Sequence, residues 1–199
     1  MVLDVKSEDE IRTLTYIIQN IVAKITLNID KEFVLNEINI TLNNTEYNPE
    51  RFPGLFLRFK HPKCVIIIFK NGKLILTGLK AFNHVDLVIE RLILKLNEKT
   101  KIYINKNSIS VEVVNIVITA DFYKQINLDL AAIKLKNTIY EPEIFPGLVF
   151  KILKPKKSVF LIFSNGKIVM TGIREESDIE PALVNLGRML DRKYLFKIS

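Results

Sequence analysis

A long sequence pattern occurs twice in this chain, and this duplication constrains the fold more than any other feature. The pattern N-T-x-Y-x-P-E-x-F-P-G-L occupies residues 44–55 and 137–148. A second pattern, I-F-x-N-G-K followed by apolar residues and T-G, occupies residues 68–78 and 162–172. The copies lie too far apart to be units of a solenoid, whose repeats span about 20 to 50 residues. The sequence therefore predicts a duplicated domain, and a ligand that is itself roughly two-fold symmetric.

Composition limits the classes of protein to which the chain can belong. Its 199 residues are 48% hydrophobic, which is enough for a packed core. The single cysteine, Cys64, permits no internal disulfide and favours a reducing compartment. The acidic N-terminus lacks the order of a secretory signal, and the aliphatic run 65–69 is too short to cross a bilayer. We therefore expect a soluble intracellular protein.

The positive charge of the chain favours an anionic partner. The net charge is +7 and the isoelectric point is near 9.4, values that are typical of proteins that bind nucleic acid. A solvated surface rich in lysine would give the same values. The charge becomes informative only where basic residues lie beside a surface suited to reading a ligand.

Hydrophobic periodicity predicts the same order of elements in both copies, namely strand, helix, four strands and helix. In the first copy the predicted strands include 16–27, 52–59, 63–69 and 73–77, with helices over 32–42 and 83–97. In the second copy they include 111–122, 148–153, 159–163 and 167–171, with a helix over 128–136 and another after residue 177.

Local signals predict where several of these elements begin and end. Asn48-Pro49 is expected to end the first helix, since the residue before proline avoids the α region. The Asn-Gly pair of each I-F-x-N-G-K pattern is typical of a two-residue hairpin turn. Asn83 is a candidate helix cap, and Ser177-x-x-Glu180 is a candidate capping box.

Both faces of the predicted strands are apolar. In the run 65–69, Ile66 and Ile68 point to one side, while Val65 and Ile67 point to the other. Two helices per copy are enough to cover one face of a sheet. The second face would then remain an exposed apolar surface, which usually marks a binding site.

The polar residues on this second face are few and occur in both copies. They are Asn20 and Thr77 in the first copy and Asn115 and Thr171 in the second. A buried unpaired amide costs roughly 1 to 3 kcal/mol, so each Asn either satisfies a local backbone group or contacts a ligand. One such Asn alone would favour the local bond, whereas the same placement in both copies favours the ligand.

These patterns, together with Q-N-I-V-A at residues 19–23, resemble the TATA-binding protein family over about residues 16–195. The resemblance implies an α+β saddle with pseudo-two-fold symmetry. In that fold a curved ten-stranded antiparallel sheet carries two helices per repeat on its convex face. The implied organisation is an N-terminal extension (1–14), repeat 1 (15–99), an inter-repeat linker (100–109) and repeat 2 (110–199).

The resemblance also implies a function. Members of the family bind the minor groove of A·T-rich, TATA-like promoter DNA, bend it with intercalating phenylalanines, and recruit transcription factor B and RNA polymerase. The intercalating residues implied are Phe52, Phe69, Phe145 and Phe163. The base-contacting residues implied are Asn20, Val22, Ile67, Ile75, Thr77, Asn115, Val117, Leu161, Val169 and Thr171. The phosphate-binding residues implied are Arg51, Arg58, Lys73, Lys80, Lys151, Lys167 and Arg174, and those that bind transcription factor B are Glu141, Glu143 and Ile144.

The chain departs from the family pattern at several positions. Val114 stands where the family usually has Gln before the central Asn. The segment 155–163 is one residue longer than its counterpart 62–69, which predicts a different setting of Phe163. The T-G-A-K of the family is replaced by T-G-L-K in the first copy and T-G-I-R in the second. The F-P-G-L in both copies resembles archaeal members, although a positive net charge is less typical of them.

Other functions are less favoured by the sequence. Catalysis is disfavoured, because the candidate soft ligands or nucleophiles are His61, His84 and Cys64, and none recurs in the other copy. We expect no cofactor and no metal. The stronger alternative is a paralogue of the family that acts as a protein-interaction module or binds DNA with low specificity. The sequence leaves undecided whether the DNA-free protein forms a homodimer. The expected location is the cytoplasm or nucleoid of an archaeon, or the nucleus of a eukaryote.

Overall fold

A computed structural model describes residues 2–6, 11–100, 102–105, 109–153 and 156–197. These residues form eleven strands and four α-helices. The strands are β1 (Val2–Lys6), β2 (Ile11–Leu27), β3 (Thr45–Glu46), β4 (Leu55–Lys60), β5 (Lys63–Ile68), β6 (Lys73–Leu79), β7 (Ile109–Asp121), β8 (Thr138–Ile139), β9 (Leu148–Ile152), β10 (Ser158–Ile162) and β11 (Lys167–Ile173). The helices are α1 (Leu35–Thr41), α2 (Asn83–Lys99), α3 (Leu128–Lys134) and α4 (Ile179–Arg192).

The predicted order of elements is confirmed in both copies. It runs from β2 to α2 in the first and from β7 to α4 in the second, so the α+β class and the ten antiparallel strands are also confirmed. The additional strand is β1, where the sequence predicts only an extension. It pairs antiparallel with the start of β2, from Val2 opposite Thr15 to Lys6 opposite Ile11.

The chain divides into two compact units. Unit I is Asn20–Val114, with the strand order β3-β4-β5-β6-β2. Unit II combines Met1–Gln19 with Asn115–Ser199, and there the order β7-β11-β10-β9-β8 repeats the plan of unit I. The division falls inside β2 and β7, so the units differ slightly from the repeats of the sequence. Each unit nevertheless holds one copy of both duplicated patterns.

Alternation along the strands separates the core of each unit from a second face. In β5, Ile66 and Ile68 are fully buried, while Val65 and Ile67 are half-buried. Helix α2 adds buried residues at helical spacing, among them Val88 and Leu92. The predicted two-faced apolar strand is therefore confirmed, with one face in the core and the other partly accessible.

The first two residues of the long duplicated pattern have a structural role. Asn44 and Asn137 adopt left-handed backbone conformations, with φ of 64° and 60°. Each follows a short helix and turns the chain into β3 or β8. The next residue of the first copy, Thr45, bonds to the end of the preceding helix, because its Oγ1 donates to the carbonyl of Leu42 at 2.9 Å.

The hairpins of the I-F-x-N-G-K pattern differ from the prediction. The amide of Gly72 donates to the carbonyl of Phe69 at 3.1 Å, and the amide of Phe69 donates to the carbonyl of Lys73 at 3.0 Å. The loop therefore has three residues rather than two, with Gly72 left-handed at φ 75°. Glycine is required at its last position because a side chain is strained there.

Several helix ends also differ from the sequence expectation. Helix α1 ends at Thr41, well before Asn48-Pro49, because β3 intervenes. Neither Asn83 nor Ser177 caps a helix: Phe82 precedes α2, and a 3-10 turn over Glu176–Asp178 leads into α4. No helix in the described ranges is long and apolar enough to span a membrane.

Candidate nucleic-acid interface

The second face of each unit carries a row of side chains that strand register places next to one another. In unit I the row is Phe56, Ile67, Ile75 and Lys24, on β4, β5, β6 and β2. In unit II the row is Val149, Leu161, Val169 and Thr119, on β9, β10, β11 and β7. All are half-buried except the exposed Lys24. Four of the six aliphatic residues predicted to contact bases therefore lie in two adjacent pairs, Ile67 with Ile75 in unit I and Leu161 with Val169 in unit II.

A β-bulge beside the row of unit II holds the predicted Asn and Thr together. Thr171 and Gly172 of β11 lie opposite the single residue Val117 of β7. The Oδ1 atom of Asn115 accepts hydrogen bonds from the amide of Gly172 at 2.8 Å and the hydroxyl of Thr171 at 3.0 Å. These two donors determine which end of the Asn115 amide faces the bulge. The Nδ2 group is consequently directed away from these two donors.

Unit I repeats this bulge with the equivalent residues. Thr77 and Gly78 of β6 lie opposite Val22 of β2, and Asn20 Oδ1 accepts from the Gly78 amide at 2.7 Å. The Nδ2 group of Asn20 lies 3.2 Å from Thr77 Oγ1, so the two predicted base-contacting side chains hold each other. A local backbone bond and a ligand contact, the two roles that the sequence allowed for each Asn, are thus compatible, because the backbone bond uses only the side-chain oxygen.

Two pairs of phenylalanine rings lie at the predicted intercalating positions. The ring centroids of Phe52 and Phe69 are 6.0 Å apart with an interplanar angle of 60°. Those of Phe145 and Phe163 are 5.9 Å apart at 67°. The two pairs are therefore similar in ring distance and angle, and the effect of the longer turn on Phe163 stays a prediction, since residues 154–155 lie outside the described residues. Phe52 and Phe145 are each 36% exposed, so their ring edges are accessible to a ligand.

The glycine of each F-P-G segment allows these rings to lie against the backbone. A Cβ atom at Gly54 would approach Phe52 Cε1 to 2.7 Å, and one at Gly147 would approach Phe145 Cε1 to 2.7 Å. Such distances are far below van der Waals contact, so any larger residue would displace the ring. The pair in unit I has a further neighbour, since the Phe56 ring lies 5.3 Å from that of Phe52.

The three residues predicted to bind transcription factor B lie together on the loop before Phe145. Glu141, Glu143 and Ile144 are all exposed, and Ile144 is 81% exposed. The carbonyl of Glu141 accepts from the amides of Ile144 and Phe145, both at 2.9 Å. The turn therefore presents an acidic and apolar patch immediately beside a candidate intercalating ring.

The seven predicted phosphate-binding side chains are all exposed, but they differ in their surroundings. They are Arg51, Arg58, Lys73, Lys80, Lys151, Lys167 and Arg174. Arg58 is already engaged, with Nη2 at 2.9 Å from Glu46 Oε2 and its guanidinium 5.9 Å from the centre of the Phe56 ring. Such an exposed pair contributes only about 0 to 1 kcal/mol, so a phosphate can replace Glu46 as the partner.

The residues considered for catalysis do not form a site. Cys64 is buried, and burial raises the pKa of its thiol to about 11, which disfavours the reactive thiolate. The backbone carbonyl of His61 accepts from the Arg91 guanidinium. Across the described part of the chain, no group of three His, Cys, Asp or Glu side chains is placed to hold a metal ion.

Two polar pairs on this face were not predicted. In unit II, Gln19 Nε2 donates to Thr119 Oγ1 at 2.8 Å. In unit I, Lys24 Nζ lies 3.8 Å from Glu112 Oε2. The alternation of β2 could have placed Lys24 on the face of Asn20, but no sequence signal brings Glu112 to it.

Comparisons with known proteins agree with this geometry. The sequence model of the family described as "Transcription factor TFIID (or TATA-binding protein, TBP)" matches residues 15–99 and 110–193. The TATA-box-binding protein of Pyrococcus furiosus is 41% identical over 179 residues, which cover 88% of this chain and 89% of that protein. That of Aeropyrum pernix is 36% identical over 173 residues, covering 87% and 83%. The solved structure of Methanococcus jannaschii TBP has a TM-score of 0.78 at 37% identity and covers 90% of this chain and 98% of that one. The chain therefore belongs to the TATA-binding protein family.

Proposed function

We propose that this protein binds the minor groove of A·T-rich, TATA-like promoter DNA and initiates transcription there. The observation that carries the proposal is present in both units: a bulge-held Asn and Thr lie beside an aliphatic row and a phenylalanine pair. A·T and T·A base pairs present only acceptors in the minor groove, which Asn and Thr donors match. The aliphatic side chains of each row offer no acceptor to the amino group of guanine. The names of the relatives support the same ligand.

The phenylalanine pairs support bending of the DNA. Inserting an apolar ring between base steps costs a few kcal/mol of unstacking, which is offset when the bent duplex contacts more protein surface. Each unit contributes one exposed ring, Phe52 or Phe145, that rests on a second ring, Phe69 or Phe163. The two rings of a pair therefore support each other and would insert into the DNA together as a wedge.

The exposed loop before Phe145 supports recruitment of a protein partner. Its acidic and apolar side chains, Glu141, Glu143 and Ile144, suit a partner with a basic and apolar surface such as transcription factor B. Through that factor the complex would bring RNA polymerase to the promoter. Because the relatives reported above come from archaea, we expect the protein to act in the cytoplasm, at the nucleoid.

A second candidate function is that of a paralogue with low DNA specificity or with a protein ligand. The observation that favours it is Glu112, whose carboxylate lies on the second face close to Lys24. A negative charge there opposes the approach of phosphates unless Lys24 compensates it.

Titration of a TATA duplex and a G·C-rich duplex of equal length, each at several salt concentrations, separates these functions. We expect the TATA duplex to bind at least about 1000-fold more tightly, within the usual range for specific DNA binding. Both duplexes should show a salt dependence, since phosphate contacts release counterions in either case. Equal affinities with equal salt slopes would rule out the proposed sequence preference.

The wedge is tested by the double variant Phe52→Ala with Phe69→Ala. Energy transfer between dyes on the two DNA ends should report a smaller bend, while the urea midpoint of the free protein changes little. Tyr103→Ala removes an aromatic ring that is 84% exposed outside this face and is the matched control. If the double variant unfolds, the rings belong to the core; if it binds and bends DNA normally, they are not wedges.

A further inference from the structure

Both units carry a bulge-held Asn and Thr on their second face, but they differ in charge where β2 and β7 complete the rows. Asn20 and Val22 of β2 recur as Asn115 and Val117 of β7. The next residue of that face, Lys24, corresponds in the second copy to Thr119. The row of unit I therefore ends in a cation, where the row of unit II ends in a neutral hydroxyl.

Strand register places Lys24 among the residues proposed to contact DNA. Its Cα lies opposite that of Ile75, just as the Cα of Thr119 lies opposite that of Val169. The alternation of β2 also puts Lys24 on the same face as Asn20. A ligand that lies along the row of unit I cannot avoid the ammonium group.

Glu112 holds this ammonium group without burying it. The Nζ to Oε2 distance is 3.8 Å, and the two side chains are 45% and 52% exposed. An exposed pair of this kind is weak, so base-edge acceptors or phosphates can take the place of the carboxylate. In unit II the position equivalent to Glu112 is occupied by Ile17, and Thr119 pairs with the neutral amide of Gln19.

We propose that Lys24, held by Glu112 in the free protein, is a DNA-contacting residue of unit I alone and determines which half of an asymmetric site that unit takes. An ammonium group is drawn to the narrow minor groove of an A-tract, where the negative potential is strongest, whereas a hydroxyl is not. Unit I therefore occupies the A-tract half of the site. This inference rests on the proposed binding of TATA-like DNA and adds the direction of binding to it.

Binding direction can be measured by energy transfer from a dye on unit II to a dye on one DNA end. Ile133→Cys provides the attachment point, because residue 133 is 82% exposed on α3, whereas Cys64 is 3% exposed. The duplex carries alternating T·A steps in one half and an A-tract in the other, with the acceptor dye on either end. The ratio of the two transfer efficiencies gives the fraction bound in each direction.

The second copy of the sequence supplies the matched variants. Lys24→Thr installs the residue found in unit II, and we expect it to reduce the preference for one direction about fivefold, the effect of one exposed charge contact. Glu112→Gln releases Lys24 and should raise both the affinity and the salt slope, the latter by up to about 0.9. Lys95→Thr removes an equal charge from the exposed surface of α2 and should leave the direction unchanged.

Each result decides a different question. A parent protein that fails to distinguish TATA from G·C-rich DNA contradicts the proposed function, and this inference with it. A parent protein that binds TATA specifically, but without a preferred direction, contradicts only the inference. The same holds if Lys24→Thr keeps the full preference, or if Lys95→Thr lowers it equally.

Discussion

The bulge-held asparagine allows the fold and the DNA contact to be separated at one residue, Asn115. Its Oδ1 atom accepts from the Gly172 amide at 2.8 Å and from Thr171 Oγ1 at 3.0 Å, whereas its Nδ2 group is the proposed donor to DNA. Asn115→Asp keeps an oxygen for both local donors and replaces the outward donor by a second carboxylate oxygen. Asn115→Ala removes the local acceptor and the outward donor together.

Asn115→Ala should therefore lower the stability of the free protein, whereas Asn115→Asp should lower the affinity for DNA with little change in stability. Asn115→Ala leaves the Gly172 amide without its partner, so the free energy of unfolding should fall by about 1 kcal/mol, with Asn115→Asp close to the parent. The binding free energy of Asn115→Asp for TATA DNA should be weaker by about 1 kcal/mol for the missing hydrogen bond. It should be weaker by about 1 to 3 kcal/mol more because a negative charge faces base acceptors. The sum corresponds to a TATA affinity about 30-fold to 1000-fold lower.

Urea unfolding of the free proteins and fluorescence titration of a TATA duplex measure the two effects. A stable Asn115→Asp protein with parental affinity for TATA would refute the assignment of Nδ2 as a DNA donor. Equal losses of stability in the two variants would show that Oδ1 does not support the bulge.

Three further predictions concern other parts of the chain. Gly147→Ala sets a Cβ 2.7 Å from Phe145 Cε1, so the ring must move; the bend of bound DNA should decrease, and an unchanged bend would show that the ring position is not critical. Burial, together with the 3.1 Å hydrogen bond to Glu180, raises the pKa of Tyr16 to about 12. Because the pKa of an unfolded tyrosine is about 10, this stabilisation is complete below pH 10 and is lost between pH 10 and 12; urea unfolding of Tyr16→Phe should show a flatter pH profile there. The buried thiol of Cys64, with its pKa near 11, should react with maleimide at pH 8 only after unfolding, and rapid labelling of the folded protein would contradict its burial.

The duplicated patterns were sufficient to predict the order of elements, whereas the four phenylalanine positions came from the family resemblance. Strand alternation assigned Ile66 and Ile68 to the core and Ile67 to the second face, and the structure confirms this. The predictions that failed concern local detail, namely the two-residue hairpin turns and the helix ends. Asn83 and Ser177 have residue types that favour a cap, but α2 follows Phe82 and α4 follows Asp178. Residue type alone therefore did not determine where these helices begin.

The sequence by itself determined that this protein is a duplicated α+β member of the TATA-binding protein family with a doubled, partly apolar second face. Periodicity and repetition are local properties, so they can be read without coordinates. Only the tertiary structure decided how the two ends of each Asn side chain are used, because the bulge that holds Oδ1 depends on register between β7 and β11 or between β2 and β6. It also decided that Glu112 meets Lys24, since the two residues are far apart in sequence and only the fold brings their charges within 3.8 Å.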